Sequence, residues 1–353
     1  MGMIRKRFWI CTQHGKINRL INNYSNFYPL LKLFLASLAI MRVSFAQTQG
    51  EELFVPRDTS FTIFSTYVRE IKKFPFIKIA NPQLSDDIRI DTNLVYVSYG
   101  KRKLRLDILR PKDTSQNYPA VLLVHGGGWR SGDKFQQLPM AQELASAGFV
   151  AATIEYRLSP EALYPAAIFD LKSAVRWIRA NSPFYCVDTD KIAVLGCSSG
   201  GHLVSMLGAT NGNQLFEGDG NYLEYSSNVN AVINIDGILD FTDPAESGKD
   251  HDPEKPSVGK LWLGYSYEEN PKLWEDVSPI NHVDHNTPPF LFINSSIDRF
   301  HAGRDVLIEK LNRYGTYSEM HTLPDTPHPF WFFHPWFKPT TKIVIDFMNK
   351  IFQ

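Results

Sequence analysis

Residues 191–210, KIAVLGCSSGGHLVSMLGAT, join two segments of different character. The segment 191–196 is an apolar run with β-branched residues, which predicts a buried strand, and the segment 202–210 predicts a short buried helix. Between them, GCSSG at 196–200 satisfies the pattern G-x-S-x-G only with Ser198 as its central serine. Small flanking residues permit a sharp strand-to-helix turn that presents the serine hydroxyl at the helix N-terminus. The alternative interpretation is a glycine turn whose serine only caps that helix.

Further strands and helices are predicted on both sides of this motif. Continuous apolar runs indicate buried strands, alternating runs indicate strands at a sheet edge, and a 3.6-residue period indicates helices. Strands that alternate with helices form a parallel sheet covered on both faces. The sequence therefore predicts an α/β fold with a mostly parallel eight-stranded sheet. The remaining predicted strands are 94–100, 103–111, 120–128, 150–156, 231–238, 289–295 and 320–324, and the principal further helices are 166–182, 301–315 and 341–352.

Two long connections follow strands of this predicted sheet. They span residues 211–230 and 241–288. Both lie on the side of the sheet where ligands bind in folds of this kind. The first is polar, with the sequence GNQLFEGDGNYLEYSSN at 212–228. We therefore expect a small polar lid insertion over a ligand site.

The N-terminal segment has the composition of an export signal. Basic residues precede an apolar run at 33–41, and Ser44 and Ala46 follow it with the spacing that a signal peptidase requires. The apolar run of nine residues is too short to cross about 30 Å of hydrocarbon as a helix. We expect residues 1–46 to be a cleaved signal peptide, the protein to be periplasmic or secreted, and no stable membrane anchor to remain after cleavage.

Charge and composition exclude several classes of partner. The chain has 37 basic and 37 acidic residues, so its formal net charge is zero. This balance argues against binding to nucleic acid and against a strongly cationic membrane-surface protein. The acidic stretch 250–252, DHD, is more typical of a solvated loop than of a metal site.

Residues 47–90 lack clear periodicity and are expected to form an N-terminal arm before a catalytic domain at 91–353.

A second glycine motif, HGGGW at 125–129, follows another predicted buried strand. Glycines at the end of a strand let the backbone approach a substrate oxygen closely. The N–H groups of Gly127 and Gly128, with that of Ser199, can therefore form an oxyanion hole beside the Ser198 hydroxyl. Glycine clusters also occur in ordinary loops, so the strength of the prediction comes from finding both motifs in this order, each at the end of a strand.

These motifs, with PPFLFINSSIDRFHAGRD at 288–305 and PHPFW at 327–331, resemble the α/β-hydrolase fold. More narrowly, they resemble bacterial exported esterases of plant cell-wall polysaccharides, in the group related to hormone-sensitive-lipase-like and feruloyl or acetyl-xylan esterases. The resemblance extends over about Asn93 to Phe352. It implies a serine hydrolase that needs no cofactor or metal, with the catalytic residues in the chain order serine, acid, histidine.

The resemblance places the catalytic base just after the last strand, where three histidines are near. His321 falls inside the predicted strand, and His334 lies beyond an aromatic run. His328 lies in the loop between them, so it is the predicted base.

The acid is predicted to be Asp298, which follows the strand 289–295 with the spacing of the family. The match is incomplete, because the family's common His-Gly pair is replaced here by Asn294 and Ser295. Asp305, at the start of the next helix, and Asp236, at the end of the preceding strand, remain as alternatives. Asp305 could instead favour the positive end of a helix dipole, and Asp298 could cap that helix.

The substrate implied by the resemblance is a polysaccharide or oligosaccharide ester. Trp129, beside the glycine loop, is the predicted substrate-binding residue, whereas the aromatic run 330–337 could stack on sugars or pack the terminal helix. An acetyl ester is the first expectation, then a methyl ester on a pectin, then a feruloyl ester. A general carboxylesterase or lipase is the alternative from another substrate class, and the polar segment 211–230 argues against long acyl chains.

Overall fold

The computed structural model describes residues 52–353 except 54, 56–57, 83–84 and 249–253. The predicted signal peptide and the acidic stretch 250–252 lie outside the described residues. Within the described part of the chain, no helix is both long enough and apolar enough to cross a membrane.

Eight strands form one sheet, and a separate pair forms a second. The order in the large sheet is β2-β3-β5-β4-β6-β7-β8-β9, with β2 and β3 antiparallel to their neighbours and the other pairings parallel. This arrangement confirms the predicted mostly parallel, eight-stranded sheet. The strands are β1 (Lys78–Ile79), β2 (Ile88–Tyr99), β3 (Arg102–Pro111), β4 (Tyr118–Val124), β5 (Val150–Ile154), β6 (Val187–Cys197), β7 (Ala231–Ile235), β8 (Phe290–Ser295), β9 (Ser318–Leu323) and β10 (Phe333–His334).

Helices cover both faces of the large sheet. Strand β4 shows why, because Leu122 packs into one buried cluster and Val121 into the other, as the two-residue period of a strand requires. Helices α3 and α5 cover the first face, and α2 and α10 cover the second. The helices are α1 (Ile63–Glu70), α2 (Leu138–Ser146), α3 (Ala166–Ala180), α4 (Ser182–Tyr185), α5 (Ser199–Ala209), α6 (Pro244–Ser247), α7 (Val258–Leu263), α8 (Pro271–Asp276), α9 (Arg304–Arg313) and α10 (Phe337–Ile351).

The described part of the N-terminal arm packs on the aromatic run 330–337. Strand β1 in the arm pairs antiparallel with β10 in that run. Ring contacts extend the pairing, with centroid distances of 6.0 Å for Phe61–Phe332 and 5.5 Å for Phe74–Trp336. The run also packs in one buried cluster with α10, as the second of its two interpretations predicted. Its hold on the arm was not predicted.

Candidate active site

Ser198 stands on the sharp turn between β6 and α5. Its backbone has φ 56° and ψ −123°, a region that residues other than glycine rarely adopt. The glycines around it are required because a side chain at either position would collide with neighbouring backbone atoms. A Cβ at Gly196 would lie 2.0 Å from the carbonyl oxygen of Gly200, and one at Gly200 would lie 2.3 Å from that of Val124. The G-x-S-x-G pattern thus marks a strained turn with a serine at its apex, as the sequence predicts.

His328 links the serine to a buried carboxylate. Its Nε2 atom lies 2.8 Å from Ser198 Oγ, and its Nδ1 atom lies 2.9 Å from Asp236 Oδ2. With a carboxylate as its partner, Nδ1–H donates to Asp236, and Nε2 is left to accept the serine hydroxyl proton. The structure thus brings together the end of β6, the end of β7 and the loop after β9.

The carboxylate in contact with His328 is not the predicted one. Asp298 lies in a short 3₁₀ turn with its side chain fully exposed, 3.9 Å from His301 Nδ1. Asp305 is also exposed and pairs with Arg304. The prediction of Asp298 is wrong because spacing along the chain does not show that this turn directs residue 298 outward. Asp236, one of the two alternatives, occupies the position instead.

Asp236 is held by the neighbouring strand β8. It is fully buried, and its Oδ1 atom accepts hydrogen bonds from the Ser295 backbone N–H at 2.8 Å and from Asn294 Nδ2 at 3.3 Å. The two residues that depart from the family pattern thus support the acid that replaces Asp298. A usable signal was present in the sequence, since Asp236 lies near the end of 231–238, the strand predicted next after the Ser198 motif.

Two aromatic rings confine the His328 imidazole. Phe300 stacks on it with ring centroids 3.6 Å apart and planes 6° apart. Trp331 meets it edge-on at 5.1 Å. Such packing limits rotation of the imidazole about its side-chain bonds, so the ring stays aimed at Ser198. Sequence analysis did not assign a role to Phe300, whose only signal was an aromatic residue two positions after Asp298.

The predicted oxyanion-hole residues lie beside Ser198. Gly127, Gly128 and Ser199 line the same cavity as the serine hydroxyl. Gly127 and Gly128 have φ of 132° and 61°, and a Cβ at Gly127 would lie 2.1 Å from the carbonyl oxygen of Ser131. Ser199 is the first residue of α5, where a backbone N–H has no acceptor within the helix. These three positions therefore have the backbone freedom and placement that an oxyanion hole needs.

Trp129 lines the cavity beside Ser198, as the sequence predicts, but little of it is exposed. Only 5% of the residue is exposed, and its indole stacks on Trp262 with centroids 4.8 Å apart and planes 10° apart. Its Nε1–H donates to His202 Nδ1 at 3.2 Å. We name Trp129, His202, Phe241 and Trp262 the aromatic box. Because its ring is stacked in the aromatic box, Trp129 supports the glycine loop and offers the cavity only an edge, so stacking of a sugar on its face is not supported.

His202 is the polar member of the aromatic box. Its Nε2 atom lies 2.8 Å from the carbonyl oxygen of Val277, so Nε2–H donates and Nδ1 accepts from the indole. Burial lowers the pKa of His202 to about 3. The imidazole is therefore neutral near pH 7, and its role is structural, since it joins the Trp129 indole to the Val277 carbonyl by hydrogen bonds.

A cavity of about 430 Å³ opens beside Ser198. The N-terminal arm forms part of its wall through Ser60, Phe61 and Arg69, and the connection 241–288 contributes Val258. None of the described lining residues comes from 211–230, the polar segment predicted as a lid. That segment packs on α3 instead, where Glu217 forms ion pairs with two buried cations.

The described residues contain no group of three or more His, Cys, Asp or Glu side chains arranged to hold a metal ion. The polar groups around Ser198 are instead arranged to accept a proton and to bind an anion. A serine hydroxyl, an imidazole and a carboxylate that contact one another in this order form a catalytic triad suited to nucleophilic acyl transfer.

Comparison with known proteins gives one family and several relatives. Residues 106–302 match the family BD-FAE. The chain is 33% identical over 201 residues to esterase LipC of Mycobacterium tuberculosis (strain ATCC 25618 / H37Rv), which covers 55% of this chain and 48% of that protein. The chain spans about half the length of the curated relatives it matches.

Solved structures share the fold. A truncated form of a carbohydrate esterase from gut microbiota aligns with a TM-score of 0.61 and 28% identity, covering 77% of this chain and 99% of that one. A bifunctional GH43-CE of Bacteroides eggerthii aligns with a TM-score of 0.63 and 28% identity, covering 76% of this chain and 38% of that one. With the strand order described above, these likenesses confirm the α/β-hydrolase fold.

Proposed function

Because this chain belongs to the BD-FAE family, we propose that it hydrolyses carboxylic esters through a serine acyl-enzyme. The observation that carries the proposal is the unbroken chain of contacts from Ser198 through His328 to Asp236. It is supported by relatives that are named esterases.

In the first half of the reaction, His328 Nε2 takes the proton of Ser198 as Oγ attacks the ester carbonyl carbon. The buried Asp236 carboxylate holds the imidazole in the required tautomer and stabilises the imidazolium that forms. The imidazolium then protonates the alcohol as it leaves. In the second half, His328 activates a water molecule, which releases the acid and restores the serine.

The developing oxyanion is assigned to the N–H groups of Gly127, Gly128 and Ser199. These groups lie on backbone whose conformation only glycine or a helix start permits, so they are fixed before substrate binds. Loss of one such donor typically lowers kcat by about 10²–10³.

We propose that the acyl group is acetyl and that the alcohol belongs to a plant cell-wall polysaccharide such as pectin or xylan. The similarity to a carbohydrate esterase supports the carbohydrate half of this proposal. Methyl esters of pectin and feruloyl esters remain the alternative substrates. A general carboxylesterase is the further alternative, and the similarity to esterase LipC supports it.

The first experiment replaces the nucleophile. We expect Ser198→Ala to lower kcat on p-nitrophenyl acetate by about four orders of magnitude or more, because among the described residues Ser198 supplies the hydroxyl that contacts His328 Nε2. Ser115→Ala, at an exposed and remote position, is the matched control. Circular dichroism of both variants checks the fold. Undiminished turnover by Ser198→Ala would refute the mechanism.

The second experiment identifies the ester. Release of acetate, methanol and ferulate is measured in parallel from pectins and xylans with the unmodified protein. Acetate as the principal product supports the proposed substrate. Hydrolysis confined to p-nitrophenyl esters would favour a general carboxylesterase.

A further inference from the structure

Three arginines from separate parts of the chain line the cavity beside Ser198. Arg69 lies on α1 in the arm, Arg130 follows the glycine loop, and Arg299 lies in the loop after β8. Among the described lining residues, the only acid is Asp236, which is fully buried and paired with His328. The charged groups that face the cavity, apart from the buried Asp236, are therefore cationic, and the carboxylates that pair with them lie behind the lining.

Each of these arginines is held from one edge by a carboxylate. Arg69 Nε lies 2.7 Å from Glu70, and Arg130 Nε lies 3.2 Å from Asp58. Arg299 uses Nε and Nη2 on Glu246, at 2.5 and 3.0 Å. The two-point contact fixes the guanidinium plane of Arg299, and the single contacts of Arg69 and Arg130 leave their groups free to turn toward a ligand. Both Nη groups of Arg69 and Arg130, and Nη1 of Arg299, have no hydrogen-bond partner among the residues that the structure describes.

Free guanidinium edges on a partly enclosed wall are suited to bind a planar anion. The three side chains are 60%, 39% and 40% exposed, so a ligand can reach them and their charges are only partly screened by water. A guanidinium offers two parallel N–H donors that match the two oxygens of a carboxylate. A neutral sugar can accept hydrogen bonds from these groups but gains no charge–charge attraction, and an aliphatic acyl chain gains neither.

We propose that Arg69, Arg130 and Arg299 form a carboxylate-binding subsite beside Ser198, and that the preferred substrate is an ester on an acidic glycan, with a uronate close to the ester bond. This inference rests on the proposed ester hydrolysis and selects among its substrates. The arm then serves as a specificity element, since it supplies Arg69 and also Asp58, which holds Arg130.

The test compares two probes that differ in one charge. These are 4-acetoxybenzoate and its methyl ester, whose kcat/KM values are each divided by the rate of alkaline hydrolysis to remove intrinsic reactivity. We expect the charged probe to be preferred at least tenfold at low ionic strength, with the preference decreasing as salt is added. Arg130→Gln and Arg299→Gln should each lower the charged-to-neutral ratio about tenfold, whereas Arg130→Lys should retain part of it.

The matched control is Arg313→Gln, an exposed arginine on α9 that also pairs with a glutamate. Competitive inhibition by glucuronate and glucose gives a second readout, with only glucuronate expected to bind measurably and only in proteins that retain the arginines. A sulfated sugar in the same assay distinguishes carboxylate recognition from general anion binding, and stronger inhibition by the sulfate would overturn the assignment to uronate.

The outcomes separate this inference from the proposed function. Hydrolysis of both probes with a ratio that no arginine substitution changes overturns the subsite and leaves the esterase intact. Failure of the unmodified protein to hydrolyse either probe overturns both. Thermal unfolding of each variant shows whether a lost preference reflects a lost fold.

Discussion

The two sides of the Ser198 turn each hold a histidine, and the two histidines are used in opposite ways. On the acid–base side, His328 is partly exposed and contacts a hydroxyl and a carboxylate. In the aromatic box, His202 is fully buried and contacts an indole N–H and a carbonyl oxygen. Only the first set of partners includes a group, the Ser198 hydroxyl, that passes its proton to the ring during the proposed reaction. The two residues are of the same type, so solvent access and the chemistry of the partners decide that His328 can act as a base and that His202 has a structural role.

The largest expected effect comes from Asp236→Asn on the acid–base side. An amide nitrogen in place of one oxygen removes the acceptor that holds the Nδ1–H tautomer, and a change of this kind typically lowers kcat about 10⁴-fold. The measurement is kcat on p-nitrophenyl acetate, with the fold checked by circular dichroism. Activity within tenfold of the unmodified protein would show that His328 works without this carboxylate.

A smaller effect is expected on the free energy of unfolding when the pH is lowered, because the aromatic box contains His202. The pKa of His202 is about 3 in the folded protein, against an ordinary value of 6.5. The unfolded chain therefore binds one more proton between these pH values, and the free energy of unfolding falls as pH is lowered through this range. His202 contributes at most about 1.4 kcal/mol per pH unit to the slope of the free energy of unfolding against pH, and this contribution to the slope disappears above pH 6.5.

The substitution His202→Gln tests the source of this acid sensitivity. Its amide can still donate to Val277 and accept from Trp129, but it does not titrate. Urea unfolding between pH 4 and 7 should show a shallower loss of stability in this variant than in the unmodified protein. His285→Gln, at an exposed position, is the matched control. An unchanged slope in His202→Gln would contradict the assignment.

The smallest effect is expected from Asp298→Asn. The side chain points into solvent, away from His328, so kcat on p-nitrophenyl acetate should change less than about twofold. Measured beside Asp236→Asn, this variant decides between the two carboxylates directly. A loss of activity larger for Asp298→Asn would reverse the assignment made from the structure.

Local patterns in the sequence were sufficient for the fold and for much of the site. Apolar periods predicted the strands, and the glycine motifs predicted the turn at Ser198 and the loop with Gly127 and Gly128. These features depend on neighbours in the chain. The choice of His328 came from the resemblance, which implies a base just after the last strand, and the structure brings His328 to Ser198.

The features that sequence analysis missed depend on contacts between distant segments. The burial of Trp129 is caused by Phe241 and Trp262, which belong to the connection 241–288. The outward direction of Asp298 is set by a turn whose geometry the spacing did not show. The arm forms a wall of the cavity because rings more than 250 positions later hold it, and no local pattern reports such a pairing.

The pairing of β1 with β10 also sets the order in which the protein can mature. Lys78 lies opposite His334, so the loop between them contains most of the chain, and contacts of such separation form late. During translation, Asp58 and Phe61 in the arm can already contact Arg130 and Gln136, but β1 lacks its strand partner until residue 334 has left the ribosome, shortly after His328. The strand pairing that completes the arm's packing and the imidazole beside Ser198 therefore become available almost together, and a nascent chain lacking both has no working active site.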